Sequence, residues 1–194
     1  MSKAVKQYDL VIVGGGGGLK LVGPALKKKL KVAVIEKDFL GGTCLNRGCI
    51  PSKMLIHPAD VAKEIREASK FGINVNKKFS VNFAQLTSRI TETVSEDSQN
   101  IAKRYKKIEG LDYYAGTAKF IDKKVLQVGR TQITGKKILL AVGARPRVPP
   151  IPGLVDVPYM TSTEALRNKK LPKKLIVIGG GYIAVELGHA YAAL

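Results

Sequence analysis

Apolar residues along this chain fall into short β-branched runs that alternate with longer helical stripes. Tyr8-Asp9-Leu10-Val11-Ile12-Val13 reads as a strand ending in the glycines Gly14 to Gly18. Leu19 to Lys29 follows as a helix with a basic end, and Lys31-Val32-Ala33-Val34-Ile35 as a second strand closing on Glu36. His57-Pro58 predicts an interruption in the next helix, which resumes over Ala59 to Phe71. From Val81 to about Lys107, Phe83, Leu86, Ile90, Val94 and Ile101 keep the spacing of a long amphipathic helix. Short β runs fill Leu111 to Val128, broken at Gly116 and at Asp122-Lys123-Lys124, and Thr131 to Val142 predicts two more strands around Gly135. Arg145 to Gly153 holds four prolines and reads as an extended interdomain linker. Thr161 and Glu164 make a capping-box signature for a short helix. Beyond it, Lys174 to Ile178 predicts a strand running into Gly179-Gly180-Gly181 and another helix. The alternation defines an α/β chain.

Strand, glycine turn, helix, strand and acid is the order of a βαβ dinucleotide-binding unit. Glu36 lies 22 positions after Gly14, near the ~20 that brings a carboxylate to ribose hydroxyls. Gly14 and Gly16 let backbone N–H groups approach a pyrophosphate at a helix N-terminus. Leu19 stands where the third glycine of the motif falls, which predicts wider packing of helix on sheet. The plain alternative for Gly14 to Gly18 is a flexible turn. Near the other end, Gly179, Gly181 and Ala184 fit the form G-x-G-x-x-G/A.

Both cysteines fall in Gly41-Gly42-Thr43-Cys44-Leu45-Asn46-Arg47-Gly48-Cys49-Ile50-Pro51-Ser52-Lys53. Residues five apart on a regular helix rise about 7.5 Å and point roughly 140° apart, too far for a bridge. Pairing therefore needs a departure from helical geometry, for which Gly48 is permissive and Pro51 a breaker. Two cysteines this close suggest redox catalysis or a metal before a structural staple. Metal is poorly supported, because His57 and His189 are the only histidines and no second cysteine pair completes a tetrahedral set. His57 reads as a surface residue at the helix break.

The stretch GGTCLNRGCIPSK, bracketed by two dinucleotide motifs, closely resembles the redox-active disulfide of the class I flavoprotein (pyridine nucleotide) disulfide oxidoreductases. That family includes dihydrolipoamide dehydrogenase, glutathione reductase and mercuric reductase. Leu45-Asn46 and Ile50-Pro51-Ser52-Lys53 look most like the N-terminal part of dihydrolipoamide dehydrogenase, with Arg47 where an apolar residue is usual. The resemblance implies a Rossmann-like FAD-binding three-layer sandwich with a small β-meander, followed by the first βα unit of a second dinucleotide-binding domain. Residues 1–145 would be the FAD-binding domain with the redox-active disulfide, and 146–194 a linker and the truncated start of an NAD(P)-binding domain.

The same resemblance implies FAD and NAD, or NADP, as cofactors. Electrons would move between NAD(H) and a dithiol or disulfide such as dihydrolipoamide through a Cys44–Cys49 disulfide. Cys44 would meet substrate, Cys49 would face the flavin, and Lys53 would lie near the flavin's reactive nitrogen, paired with Glu186. These roles need thiolates, which positive charge from Arg47 and Lys53 or a helix N-terminus favours. Gly14, Gly16, Glu36, Lys37, Gly42, Thr43, Lys53, Gly116, Gly143, Gly179 and Gly181 would bind the cofactors. Val142 replaces the threonine of an Ala-Thr-Gly element, and Tyr182 either gates the nicotinamide or simply packs. The family continues beyond the equivalent of Leu194 with a dimer-forming domain that supplies a His-Glu acid-base pair, so an N-terminal portion is expected, homodimeric only through residues this sequence lacks. Alternative readings are a catalytically incomplete flavin-binding redox module and a mercuric or glutathione-type reductase fragment. The first mercuric pointer, an N-terminal metal-binding domain, is missing from the sequence.

A hydrophobic content of 45% suffices for packed cores. The net charge of +18, Lys+Arg 33 against Asp+Glu 15, raises a further reading, a basic nucleic-acid-binding protein reusing the fold. The lysines come instead in scattered short groups such as Lys27 to Lys29, Lys77-Lys78 and Lys123-Lys124, without one basic arm, and read as solvated surface. No nucleic-acid partner is expected; the partner is a small-molecule or lipoyl-domain dithiol. No apolar run approaches the ~18 residues of a membrane helix, and Leu10 to Gly18 lacks the length and cleavage site of a secretory signal. The reading is cytoplasmic, with no membrane partner.

Overall fold

The computed structural model describes residues 4–76 and 78–194; Lys77 of the Lys77-Lys78 group lies outside the described residues. The chain divides into two compact units, Met1–Asn46 with Ser95–Ala144 and Arg47–Val94 with Arg145–Leu194.

Among the described residues, the six strands all belong to the first unit, in one sheet of order β3-β2-β1-β6-β5-β4. They are β1 (Lys6–Val13), β2 (Val32–Glu36), β3 (Leu111–Ala115), β4 (Ala118–Asp122), β5 (Val125–Val128) and β6 (Thr131–Leu140). β1 pairs in parallel with β2 and β6, and β2 with β3. β4, β5 and β6 form the antiparallel meander. Flanked on both sides, β2 buries Val32, Ala33, Val34 and Ile35 completely or nearly so. That explains its uninterrupted apolar run, each Val or Ile contributing about 1.5–3 kcal/mol on burial. On one face Val11, Ala33 and Ile35 pack on Leu126, Val128 and Ile133 of the meander. On the other, Ile12, Val32, Val34 and Leu111 pack on α1 (Val22–Lys27) and on Ile101, Ala102 and Tyr105 of the long helix Phe83–Tyr105. Meander, parallel sheet and helices give the three layers of the expected sandwich.

Three local expectations change. The helix after Gly18 begins as a 3-10 turn, Gly17–Leu21, and is α-helical only over Val22–Lys27. Pro24 falls in the first turn of α1, where a missing N–H costs little. Thr131 to Leu140 is one strand, not two. Gly135 lets Val11 approach it, since a Cβ at Gly135 would lie 2.7 Å from Val11 Cγ2. Ile133 and Ile138 then join the same core although they are five positions apart, an odd offset that would put them on opposite faces of a regular strand. The strand switches faces between them, leaving Lys136 and Lys137 both exposed, with Lys136 Nζ 2.7 Å from Asp9 Oδ1. Third, Lys174 to Ile178 joins no ladder. Leu175, Ile176, Val177 and Ile178 are 41%, 89%, 47% and 59% exposed, because among the described residues no strand lies beside them.

The second unit is helical. After α1, the helices are numbered α2 (Gly42–Arg47), α3 (Cys49–Glu67), α4 (Phe83–Tyr105), α5 (Ser162–Ala165) and α6 (Tyr182–Ala193). The unit boundaries fall just before the end of α2 and within α4. Pro58 does not interrupt α3, which runs unbroken for 19 residues. Leu55, Ala59 and Ala62 are buried around it at helical spacing. Leu55 and Ala59 join Phe83, Ile90, Leu166, Leu187, Ala190 and Tyr191 in one core. Thr161 and Glu164 form a complete capping box at the start of α5.

Candidate functional site

The first glycine turn is built so that side chains are excluded from it. Gly14 has φ +115°, and a Cβ there would lie 2.1 Å from the carbonyl oxygen of Ala141. Gly16 and Gly42 touch backbone to backbone; a Cβ on Gly42, which has φ +61°, would lie 2.5 Å from Gly16 Cα. The Gly41 N–H donates to the Gly15 carbonyl at 2.7 Å. Together these contacts fasten the start of α2, and with it Cys44, to the glycine turn. Leu19 packs with the helix-side core, and the close approach falls to Gly18, where a Cβ would meet Ile12 Cγ2 at 2.8 Å and Ala141 Cβ at 2.9 Å. The wider packing expected from Leu19 is therefore relieved one residue earlier.

Glu36 closes the turn from the end of β2. Its carboxylate accepts from the Gly15 N–H at 2.5 Å and from the Asp38 N–H at 2.7 Å. Two of its roughly four lone-pair sites are then in use, and the remainder suit hydroxyl donors. The Gly116 N–H donates to the Glu36 carbonyl at 2.7 Å, so Gly116, with φ +154°, joins the same cluster. Lys37 and Thr43 are exposed beside it. Gly143, φ +71°, lies in the segment after β6 with no atom near its missing Cβ.

Helical geometry breaks within the cysteine stretch at Gly48, with φ −143° and ψ −118°, between α2 carrying Cys44 and α3 opening on Cys49. Pro51 sits in the first turn of α3, where its missing N–H costs little, so it starts the helix instead of breaking it. Both cysteines are exposed thiols. Two residues not singled out from sequence hold the loop before Cys44. Buried Asn46 donates from Nδ2 to the carbonyls of Leu40 and Gly42, both at 3.0 Å. Ser98 of α4 donates to the Leu40 carbonyl at 2.7 Å. Its signal was available: Ser98 is the polar member of the stripe between Val94 and Ile101.

In the second unit, Lys53 Nζ lies 2.5 Å from Glu186 Oε1, joining α3 to α6. The lysine's hydrogen bond holds the Glu186 carboxyl below the ordinary carboxylate range, against a small opposing effect of burial. Along the same helix pair, His189 Nε2 lies 2.7 Å from Asp60 Oδ1, and Arg66 donates to the Ala193 carbonyl. Gly179, φ +113°, leads to Gly181, which caps the N-terminus of α6, and Tyr182 is 78% exposed. His57 is exposed. Among the described residues no group of three His, Cys, Asp or Glu side chains is placed to hold a metal, and no helix is long and apolar enough to cross a membrane.

A three-layer α/β unit with a glycine turn, a terminal acid and a cysteine-bearing helix fastened to the turn defines the class as dinucleotide-binding. Residues 8–194 match the pyridine nucleotide-disulphide oxidoreductase family, and the chain belongs to it. Mercuric reductase from Staphylococcus aureus is 41% identical over 189 residues, covering 95% of this chain and 34% of the relative. Dihydrolipoyl dehydrogenase from Mycoplasma pneumoniae is 35% identical over 192 residues, covering 96% of this chain and 42% of the relative. The Cu(II) complex of the HOCl-induced flavoprotein disulfide reductase RclA from Escherichia coli superposes with a TM-score of 0.82 at 33% identity, covering 97% of this chain and 41% of that one. The chain thus spans about two-fifths or less of these relatives.

Proposed function

We propose that this chain is the FAD-binding and redox-disulfide portion of an NAD(P)H-dependent dithiol/disulfide oxidoreductase. The carrying observation is the fastening of the Cys44 helix to the first glycine turn through Gly41, Gly15, Gly16 and Gly42. The cradle fits a dinucleotide: backbone is bare at Gly14 and Gly16, and Glu36 keeps acceptor capacity at the end of β2. In this reading residues 1–145 hold FAD, with Gly14, Gly16, Glu36, Lys37, Gly42, Thr43, Gly116 and Gly143 around it. Residues 146–194 are the linker and the start of the nicotinamide-nucleotide part, with Gly179 and Gly181 as its turn. When bound, FAD supplies the two-electron link between a nicotinamide and the cysteine pair.

The chain's own chemistry is thiol exchange. A Cys44 thiolate attacks one sulfur of a substrate disulfide and releases one thiolate; Cys49 then attacks Cys44 and releases the other, leaving a Cys44–Cys49 disulfide. Cys49 opens α3, one turn before Lys53. Lys53, oriented by Glu186, presents its ammonium on the next turn. Substrates of this chemistry are disulfides such as lipoamide and, in the reverse direction, dithiols such as dihydrolipoamide, free or on a lipoyl domain, in a cytoplasmic homodimer of the full-length kind. The staphylococcal likeness favours a second reading, Hg(II) reduction. Incubation of the purified chain with FAD should give a yellow protein, and NADH with lipoamide or with Hg(II) separates the two substrates. Failure to take up FAD, with the cysteines intact, counts against the whole reading; uptake without turnover leaves a flavin-binding redox module.

A further inference from the structure

On the meander-facing side of the sheet, three side chains from β1 and β3 that the proposed chemistry does not use meet at the Tyr8 hydroxyl. The Tyr8 hydroxyl donates to Asp112 Oδ2 and meets the Tyr114 hydroxyl at 2.5 Å. The two rings stand edge to face, interplanar angle 86°, with centroids 6.3 Å apart. Lys6 Nζ lies 5.5 Å from the centre of the Tyr114 ring and Lys31 Nζ 5.0 Å from that of Tyr8. Tyr8 is 4% exposed, and burial first, then its hydrogen bonds, push its phenol well above the ordinary range.

A buried phenol of this kind stays protonated, so it gives up an electron readily only if a base takes its proton in the same event. Asp112 is that base, in contact with the proton. The Tyr114 hydroxyl against that of Tyr8 turns the two rings oxygen to oxygen, the side of each ring on which its ortho carbons lie. We propose that Tyr8, Asp112 and Tyr114 are an oxidative modification site, at which a one-electron oxidant of the peroxide–peroxidase type couples the two rings into an intramolecular dityrosine. Each phenol loses one electron and one proton, the proton of Tyr8 passing first to Asp112. The two phenoxyl radicals join by one ortho C–C bond, and the displaced ring hydrogens move to the oxygens as aromaticity returns. One peroxide takes up the two electrons and two protons and leaves as two waters. The product ties β1 to β3 across β2.

The test is mild treatment of the full chain with hydrogen peroxide and a haem peroxidase, followed by peptide mapping. The expected result is a monomer in which the peptides carrying Tyr8 and Tyr114 are joined with the loss of two hydrogens, showing dityrosine emission. Tyr8→Phe, which keeps the packed ring, should abolish that peptide. Asp112→Asn should slow its formation at least several-fold, and the wild-type reaction should be slower in deuterium oxide. Cross-links confined to exposed Tyr159 and Tyr182, 46% and 78% exposed, and appearing in dimers, overturn the site. So does a joined peptide whose rate ignores both Asp112→Asn and deuterium.

Discussion

Lys53 and Glu186 are separated by 133 positions in sequence and meet at 2.5 Å. Their contact depends on ionisation with a definite sign. The Glu186 carboxyl is held below its ordinary range by Lys53, so the pair's contribution to stability is complete above the unfolded carboxyl's value of about 4.3. It is lost as pH falls through the folded value, which lies below that. The stability difference between the wild type and Glu186→Gln should accordingly be constant from neutral pH down to about pH 5 and shrink below about pH 4. It should be small throughout, because Lys53 is 60% and Glu186 33% exposed at the side chain. A difference that grows on acidification contradicts the assignment. Asn46 is the opposite case, a buried amide with no exposure to screen it. Asn46→Ala removes donors to Leu40 and Gly42 and should lower stability by about 1–3 kcal/mol in urea unfolding, with an unchanged m-value. An unchanged midpoint would show that the loop before Cys44 is held by other contacts.

Elements repeat the lesson that short-range signals were legible and partner-dependent ones were not. The βαβ unit, the long amphipathic helix and the capping box at Thr161 follow from spacing, because each is decided by nearby residues, whereas the meander follows from the family resemblance. Pro58 was read as a break because proline costs a helix interior about 3 kcal/mol. What outweighs it is the buried stripe of Leu55, Ala59 and Ala62, of which Leu55 and Ala59 join a core with Phe83, Ile90 and Leu187 to Tyr191. Lys174 to Ile178 failed the other way: its β-branched run is as good as that of β1, but a strand needs a neighbour. Gly135 looked like a turn and is a close approach to Val11. In the site, the glycines, the acid and the polar Ser98 within an apolar stripe are visible in the sequence, whereas the carbonyls that Asn46 holds and the Ala141 carbonyl that meets Gly14 are partners that spacing does not reveal. Replacing Pro58 with Ala restores an N–H to a continuous α3 and should raise stability by about 1–3 kcal/mol, seen as a higher thermal midpoint. A lower midpoint would mean that the proline ring's packing matters more than the missing hydrogen bond.

At the scale of the whole molecule, a net charge of +18 opposes compaction through self-repulsion. Raising salt from about 0.01 to 0.15 M shortens the screening length from about 30 to 8 Å and should raise the melting temperature. A fall would show that specific ion pairs such as Asp9–Lys136 outweigh the repulsion. The proposed function rests on the first unit, where a bare glycine turn, Glu36 and the base of the Cys44 helix converge. Family membership makes a flavin the expected occupant. The most direct test is a titration of FAD fluorescence with the wild-type chain and with Gly14→Ala, whose methyl would collide with Ala141 and whose backbone strain alone costs about 1–3 kcal/mol. Saturable one-to-one quenching by the wild type, lost in a Gly14→Ala chain that retains its circular dichroism, is the expected result. Quenching that is absent in the wild type, or that survives Gly14→Ala unchanged, would contradict the placement of the flavin at this turn.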